Sequence, residues 1–318
     1  MSSRLGWVFG LLVPLLVWSS PAQAQCGGTQ LCAPGARDCT IASAGTITVP
    51  AAGLTIDLGA RKLVLTKTLT VQGAGPLTIN AGSVLVDGGS IIAPGSDGVG
   101  GTIIVNAATS ATYQNDALVD VSGGIAGGNV DLQALDGDLT FSGRIKANGT
   151  TRDGDGGAIS LGASGNMTVA GDKIDASGGD RAGGGFIDIE VVSGSLLVTA
   201  PLAAPGGDGG DVILVGGTTL QTTASADINV SATRDAGSGG SIDLSASGDV
   251  SIAGNADGTG AVSADPPFND GGDGADYDIT SDTGSVTVTG VGQFLSGPIQ
   301  EALVELSELS AVAPDVVR

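Results

Sequence analysis

The sequence has no histidine, and among its 318 residues only five Phe, two Tyr and two Trp are aromatic. Without histidine, Ser–His–Asp and Cys–His catalytic constellations cannot be built. Cationic residues are also scarce, since 12 Lys and Arg stand against 33 Asp and Glu and give a formal net charge of −21. A chain this acidic repels nucleic acid and anionic lipid, so neither is expected as a partner.

Only three cysteines occur, Cys26, Cys32 and Cys39, and all lie near the N-terminus. In an oxidising compartment we expect one disulfide, with three pairings open and one thiol left over. Loop length favours Cys32–Cys39, which would pin an N-terminal cap formed by residues 25–46. A metal site would need more ligands than three clustered cysteines without histidine.

The first 24 residues have the pattern of a signal peptide. Arg4 precedes the apolar run "LGWVFGLLVPLLVW", and Ala22-x-Ala24 is a small-residue cleavage site. The run is shorter than the ~20 residues that a membrane-spanning helix needs, which makes a membrane anchor the weaker alternative, as is a lipoprotein modified at Cys26. We expect an exported protein, extracellular or on the outer cell surface, with the periplasm as an alternative. After cleavage no transmembrane segment is expected.

Glycine and aliphatic residues are abundant and form a repeated phrase. The phrase is Gly-x-apolar-x-apolar and recurs about every 28 residues, as "GTIIV" at Gly101, "GNVDL" at Gly128, "GAISL" at Gly157, "GFIDI" at Gly185, "GDVIL" at Gly210, "GSIDL" at Gly240 and, degraded, "ADYDI" at Ala275. A second strand-like phrase follows most copies, and then a short third segment such as "RIKA" at Arg144. The period-two alternation is typical of half-buried strands.

Short strands without helical segments between them cannot pair through βαβ crossovers, and the simplest arrangement stacks each repeat on the previous one, so that equivalent strands pair in parallel. We therefore predict an all-β fold over residues 47–290, a single-stranded right-handed parallel β-helix with coils of about 28 residues. Two inward ladders are predicted, one of Ile103, Val130, Ile159, Ile187, Val212, Ile242 and Tyr277, and one of Val105, Leu132, Leu161, Ile189, Leu214, Leu244 and Ile279. Glycine pairs should occupy corners that need positive φ. A β-sandwich is the alternative, but it does not predict a repeated phrase of this length.

Residues 291–318 depart from the repeat and are predicted to be a C-terminal cap or tail, in which the stretch "GPIQEALVELSEL" at residues 297–309 predicts a short amphipathic helix. Pro298 suits a first helical position, and Ile299, Leu303, Leu306 and Leu309 fall on one helical face. Such a helix would cap the open end of the solenoid core. A partner-binding helix is the alternative.

The stretch "GGDGGDVIL" from Gly206 to Leu214 matches the calcium-binding β-roll nonapeptide. The candidate Ca²⁺ ligands are Asp208 and Asp211 in this stretch, and Asp243 and Asp278, which the repeat places one rung apart. Solvated turn aspartates are the alternative. Calcium β-rolls carry such nonapeptides in tandem, whereas here the neighbouring phrases lie about 25 to 30 residues away. The stretch is therefore interpreted first as a coil corner, and no other cofactor is expected.

The repeats punctuated by glycine pairs, together with the signal peptide, resemble bacterial right-handed β-helix surface proteins, namely filamentous-haemagglutinin-like and autotransporter-passenger adhesins of pectin-lyase-like fold. The resemblance is one of pattern and covers roughly residues 47–290. It implies a secreted or cell-surface structural or adhesive module without catalytic activity. Its partner would be a surface ligand, an extracellular polysaccharide or a protein.

Two other functions stay open. A polysaccharide-active β-helix enzyme, lyase or glycoside hydrolase, could use pairs of surface carboxylates such as Asp243 and Asp278. An ice- or mineral-surface binder would need a regular Thr or Asp array, and Ser160 and Ile213 interrupt the outward Asp row.

Overall fold

A computed structural model describes residues 25–26, 29–30, 32, 36–260, 272–289 and 294–295. Over these residues the chain is a right-handed parallel β-solenoid of about eight turns, with coils about 28 residues apart. The predicted all-β class and parallel β-helix are confirmed. The predicted signal peptide, residues 1–24, and the predicted C-terminal helix, residues 297–309, lie outside the described residues, and of the predicted C-terminal cap or tail, residues 291–318, only 294–295 are described. Within those residues no helix has the length and apolar character needed to cross a membrane.

The coils have three faces, each a parallel sheet, and a small antiparallel pair, β1 (Gln25–Cys26) with β2 (Thr29–Gln30), precedes them. Face I has nine strands: β5 (Leu54–Asp57), β8 (Leu77–Ala81), β11 (Thr102–Ala107), β14 (Asn129–Ala134), β16 (Ala158–Ala163), β18 (Phe186–Val191), β21 (Asp211–Gly216), β24 (Ser241–Ala246) and β27 (Asp276–Ser281).

Faces II and III share two long strands, β15 (Leu139–Lys146) and β17 (Met167–Asp175), which bend from one face to the other. The other strands of face II are β3 (Asp38–Ile41), β6 (Lys62–Leu65), β9 (Ser83–Asp87), β12 (Ala111–Gln114), β19 (Ser195–Val198), β22 (Thr219–Thr222), β25 (Val250–Ala253) and β28 (Val286–Thr289). Those of face III are β4 (Gly45–Thr48), β7 (Thr68–Gln72), β10 (Ser90–Ile92), β13 (Leu118–Asp120), β20 (Leu202–Ala203), β23 (Ile228–Asn229), β26 (Ala256–Asp257) and β29 (Phe294–Leu295).

The core consists of the inward ladders that the alternation predicts. On face I, Ile103 pairs with Val130, and the register continues without a slip to Tyr277 at the last coil. All predicted ladder residues are buried except Tyr277 and Ile279, which are half-buried and pack against the core. Because side chains alternate across a strand, the residues between these positions face solvent.

Parallel pairing begins at Asp38, within the segment predicted as an N-terminal cap, since β3 pairs with β6 and the following strand, β4, pairs with β7. Cys32 and Cys39, the pair that loop length favours, are joined by a disulfide with 4.9 Å between their Cα atoms. Cys39 is fully buried in β3. The disulfide therefore ties the preceding segment to the first coil.

The glycine pairs lie at the corner between faces III and I, as predicted, but the predicted reason is wrong. None of these corner pairs has positive φ. Instead, successive backbones approach too closely for a side chain. A Cβ on Gly184 would lie 2.0 Å from the carbonyl oxygen of Ala204, and one on Gly240 would lie 1.7 Å from that of Gly210. Glycine is needed here for space.

Short loops protrude from this corner and stack into what we call the loop ridge, residues 94–100, 122–127, 148–156, 177–184, 205–209 and 231–239. Each loop is closed at its base by a hydrogen bond from the backbone N–H of the second glycine of the pair. The N–H of Gly210, for example, donates to the carbonyl oxygen of Ala204 at 2.8 Å. Bridges such as Gly183 to Asp208 join neighbouring loops. The stretch around Asp208 is therefore a coil corner.

An acidic face with a notch as the candidate binding surface

The outward surface of face I carries charge of a single sign. Its strands present eight carboxylates to solvent: Asp57, Asp131, Asp188, Glu190, Asp211, Asp243, Asp276 and Asp278. None of the nine strands contains a lysine or arginine. Strands of faces II and III, by contrast, contain Lys62, Arg144, Lys146 and Lys173. Positive charge is thus segregated away from face I.

The described ion pairs lie off face I. On face III, Arg144 contacts Asp172 at 2.6 Å and Lys173 contacts Asp175 at 3.0 Å. The third pair, Arg234 with Asp208, is on the loop ridge. The carboxylates of face I are therefore left without cationic neighbours from their own sheet.

Burial and mutual repulsion perturb two carboxyl groups of face I. Desolvation by burial, followed by the charge of Glu190, raises the pKa of Asp188 above its ordinary value. Desolvation, followed by the charge of Asp278, raises the pKa of Asp243. The predicted one-rung separation of Asp243 and Asp278 is confirmed, because the two are register partners on β24 and β27. Like charges directly opposite on paired strands are unfavourable.

Replacing Asp243 with asparagine is expected to raise the free energy of unfolding at neutral pH. The folded state binds the Asp243 proton more tightly than the unfolded state does, so this group lowers stability as pH rises from about 3.9, the ordinary pKa, through the raised folded value. Urea unfolding of both proteins should show the difference at neutral pH and its disappearance below the ordinary pKa.

Asp249 supplies a control of opposite sign. Hydrogen bonds from the backbone N–H of Ser285, at 2.8 Å, and from its hydroxyl, at 3.0 Å, lower the pKa of Asp249. The contribution of Asp249 to the free energy of unfolding is present at pH values above its ordinary pKa and is lost as pH falls through its pKa in the folded state. Asp249→Asn should therefore be destabilising at neutral pH; equal shifts for both variants would contradict this account.

Two of the calcium candidates already have protein partners. Asp208 accepts hydrogen bonds from Arg234 at 2.7 Å and from the N–H of Ser238 at 3.2 Å, and Asp211 accepts one from the hydroxyl of Ser241 at 2.7 Å. These donors come from the following coil, so the two aspartates join successive coils. Across the described ranges, no three Asp, Glu, Cys or His side chains group so as to hold a metal ion.

Asp243 and Asp278 bring together two carboxylates, whereas Ca²⁺ takes six to eight oxygen ligands. We therefore expect Ca²⁺ and Mg²⁺ at equal ionic strength to raise the melting temperature equally, by screening the acidic face. Thermal unfolding followed by circular dichroism measures this. A rise specific to Ca²⁺ that Asp278→Asn abolishes would instead establish a calcium site at this pair.

A notch interrupts face I at β16, whose outward residues Ala158, Ser160 and Gly162 are all small. The notch has a volume of about 140 Å³. The floor of the notch consists of Ser160, Gly162 and Ser164. One wall, on the β14 side, consists of Gln133 and Leu135. The other wall, on the β18 side, consists of Asp188, Glu190 and Val192. The notch is not evident from the sequence, in which Ser160 is only a break in the outward Asp row.

The walls of the notch combine charge with exposed apolar surface. Leu135 and Val192 are 61% and 71% exposed, and both line the same depression. Gln133 donates a hydrogen bond to Asp131 at 2.7 Å, and its amide lies over Gly162, where a Cβ would be 2.0 Å from the amide oxygen. The absence of a side chain at Gly162 thus makes room for the wall.

A second depression, of about 200 Å³, lies where β15 and β17 bend from face II to face III. The register shifts there between Gly143 and Arg144, and Asp172 is the extra residue of the resulting bulge. Arg144 and Asp172 line this depression and neutralise each other. It therefore presents less unpaired charge than the notch.

Comparison of the chain with protein-family models, with curated proteins and with solved structures gave no match. Function is therefore inferred from the chemistry of face I itself.

Proposed function

We propose that this chain is an exported, non-catalytic structural or adhesive module, displayed outside the cell or on its outer surface, which presents face I to a partner. The observation that carries the proposal is the single sign of charge along the nine strands of face I. A surface of this kind steers oppositely charged partners and sets their orientation. The resemblance to filamentous-haemagglutinin-like and autotransporter-passenger adhesins supports the same function.

The architecture suits such a role because it is a continuous rod. Eight turns at the ~4.8 Å spacing of neighbouring strands give face I a length of about 40 Å. The buried ladders run through successive coils without interruption, so the outward side chains are held on a rigid support. An extended partner could therefore contact several coils at once.

The test uses residues 25–318 and a polylysine-coated sensor surface as the cationic probe. The variant D188N/E190Q/D243N removes three charges from face I and should bind about tenfold more weakly, since each exposed charge pair contributes ~0.2–1 kcal/mol. Binding of the parent chain should weaken with salt.

The matched control, D153N/D180N/D235N, removes three exposed charges from the loop ridge and has the same net charge as the face I variant. It should bind as the parent chain does. Equal losses in both variants would show that net charge, and not face I, determines binding. Release of reducing ends or unsaturated products from any polysaccharide would contradict the non-catalytic function.

A polysaccharide-active enzyme is the second candidate, favoured by one observation. Asp243 and Asp278 are register partners on neighbouring strands, and retaining glycosidases hold two carboxyl groups about 5–5.5 Å apart. A raised pKa, as at Asp243, also suits a general acid. This function requires that Asp278→Asn abolish depolymerisation of a polysaccharide while the melting temperature is retained.

A further inference from the structure

The notch follows one strand of face I and lies between two walls of side chains. Its walls belong to β14 and β18, which lie two strand spacings apart, or about 10 Å. Its floor follows β16 from Ser160 to Ser164, about 13 Å at ~3.3 Å per residue, and the Gln133 amide crosses it above Gly162. A ligand in the notch would therefore lie parallel to the strands of face I.

The wall on the β18 side has acidic side chains at one end and an aliphatic side chain at the other. Asp188, Glu190 and Val192 follow one another at alternate positions, so that two carboxylates are succeeded by an exposed aliphatic side chain. Neither carboxylate has a hydrogen-bond or ion-pair partner among the described residues. Across the floor, Leu135 stands opposite Val192 and adds a second exposed aliphatic side chain at the same end of the notch.

We propose that the notch binds an extended basic segment of another protein. Two cationic side chains at alternate positions meet Asp188 and Glu190, and an apolar side chain two residues further on packs against Leu135 and Val192. The side-chain spacing of such a segment matches that of β18, because an extended polypeptide places side chains on one side every ~6.6 Å. This inference rests on the proposed function, since it names the kind of partner that face I takes.

The apolar end of the notch favours a polypeptide over a polysaccharide. Leu135 and Val192 are aliphatic and suit an aliphatic side chain, as in the cores of protein interfaces. Saccharides pack instead on flat aromatic rings, and the only aromatic residue on the neighbouring strand, Phe186, is not part of the notch lining. The charge excludes an acidic segment as the occupant.

The experiment measures fluorescence anisotropy of the labelled peptide GKSKSVG on the full chain at low ionic strength. The variant D188N/E190Q should weaken binding about tenfold, whereas D243N/D278N, with the same charge change elsewhere on face I, should weaken it less than about twofold. The acidic peptide GESESVG should not bind. Equal losses in the two variants would overturn the notch as the site.

Filling the floor tests the geometry separately from the charge. Ser160→Gln should reduce binding about tenfold, while Thr78→Gln, in the same outward column of face I three coils away, should leave it unchanged. Val192→Ser should weaken GKSKSVG but not GKSKSSG, which lacks the apolar side chain. Melting temperatures of all variants show whether each is folded.

Two outcomes separate this inference from the proposed function. If the chain binds polylysine through face I but GKSKSVG does not compete, the notch inference is wrong and the proposed function stands. If neither binds, both are wrong. Tighter notch-dependent binding of a glucosamine oligosaccharide than of GKSKSVG would also overturn the inference, because the partner would then be a cationic polysaccharide.

Discussion

Replacing Gly184 with alanine is expected to lower the free energy of unfolding by about 4 kcal/mol or more, at the exceptional end for a single added methyl group. The new Cβ would lie 2.0 Å from the carbonyl oxygen of Ala204 and 2.5 Å from the backbone nitrogen of Gly210. Both atoms belong to the backbone of the next coil and cannot rotate away. The two coils would have to separate, with loss of the hydrogen bonds that stack them.

The adjacent residue, Gly183, is the matched control. The nearest atom to a Cβ at this position is a carboxylate oxygen of Asp155, 3.9 Å away, and the φ of Gly183 is not positive. Gly183→Ala should therefore be neutral or stabilise the protein by up to ~0.5 kcal/mol, through the lower entropy of its unfolded chain. Urea unfolding followed by circular dichroism measures both variants. Comparable losses at the two positions would refute close coil contact as the reason for the glycine pairs.

Phe141→Ala is expected to lower the free energy of unfolding by about 4 kcal/mol, which is within the range for replacing a buried aromatic side chain with alanine. Phe141 is fully buried, and its ring centroid lies 5.3 Å from that of Tyr113, its register partner on the preceding coil. The ladders above and below are held in place by their own backbone pairing, so they cannot collapse into the space. Urea unfolding again provides the measurement.

Tyr113→Phe serves as the counterpart, because it keeps the ring pair and removes only a hydroxyl group. The Tyr113 hydroxyl is buried and has no hydrogen-bond partner among the described residues, and burial raises its pKa. An unsatisfied buried polar group costs ~1–3 kcal/mol, so this variant should be more stable than the parent chain by about 1 kcal/mol. A loss of stability instead would show that the hydroxyl has a partner, such as a buried water.

The ladders could be predicted from the sequence because two periodicities coincide in it. Alternation with period two marks the inward residues of each strand, and the repeated phrase at about 28 residues aligns one strand with the next. Together they determine register, which is how Asp243 could be placed opposite Asp278 without a structure. Even the half-burial at Tyr277 falls where the phrase is degraded.

The notch could not be predicted in the same way. Ser160 and Gly162 are ordinary outward residues of β16, and only their neighbours on β14 and β18 make them the floor of a depression. Depth depends on differences in side-chain length between coils. In the sequence, Ser160 differs from the equivalent outward positions only in having no carboxylate. The structure shows the space that its short side chain leaves.

A second feature was visible in the sequence but too short to recognise. At the end of face III an Asp or Asn accepts a hydrogen bond from the N–H two residues later, as Asn229 does from Ser231 at 2.9 Å and Asp257 from Thr259 at 3.1 Å. The pattern is only Asp/Asn-x-Ser/Thr, which occurs by chance throughout a chain of this composition. It becomes meaningful once the coil register aligns its copies at one corner.

The closure at the base of the loop ridge has a consequence for how the chain can change in length. Five residues lie between Ala204 and Gly210 and nine between Val230 and Gly240, yet the same hydrogen bond closes both loops, at 2.8 and 2.9 Å. The strands of the coils above and below are therefore unaffected by the length of the loop. Insertions at this corner are isolated from the core, so the ridge can diversify, or accept a grafted sequence, while the rod beneath it is conserved in shape.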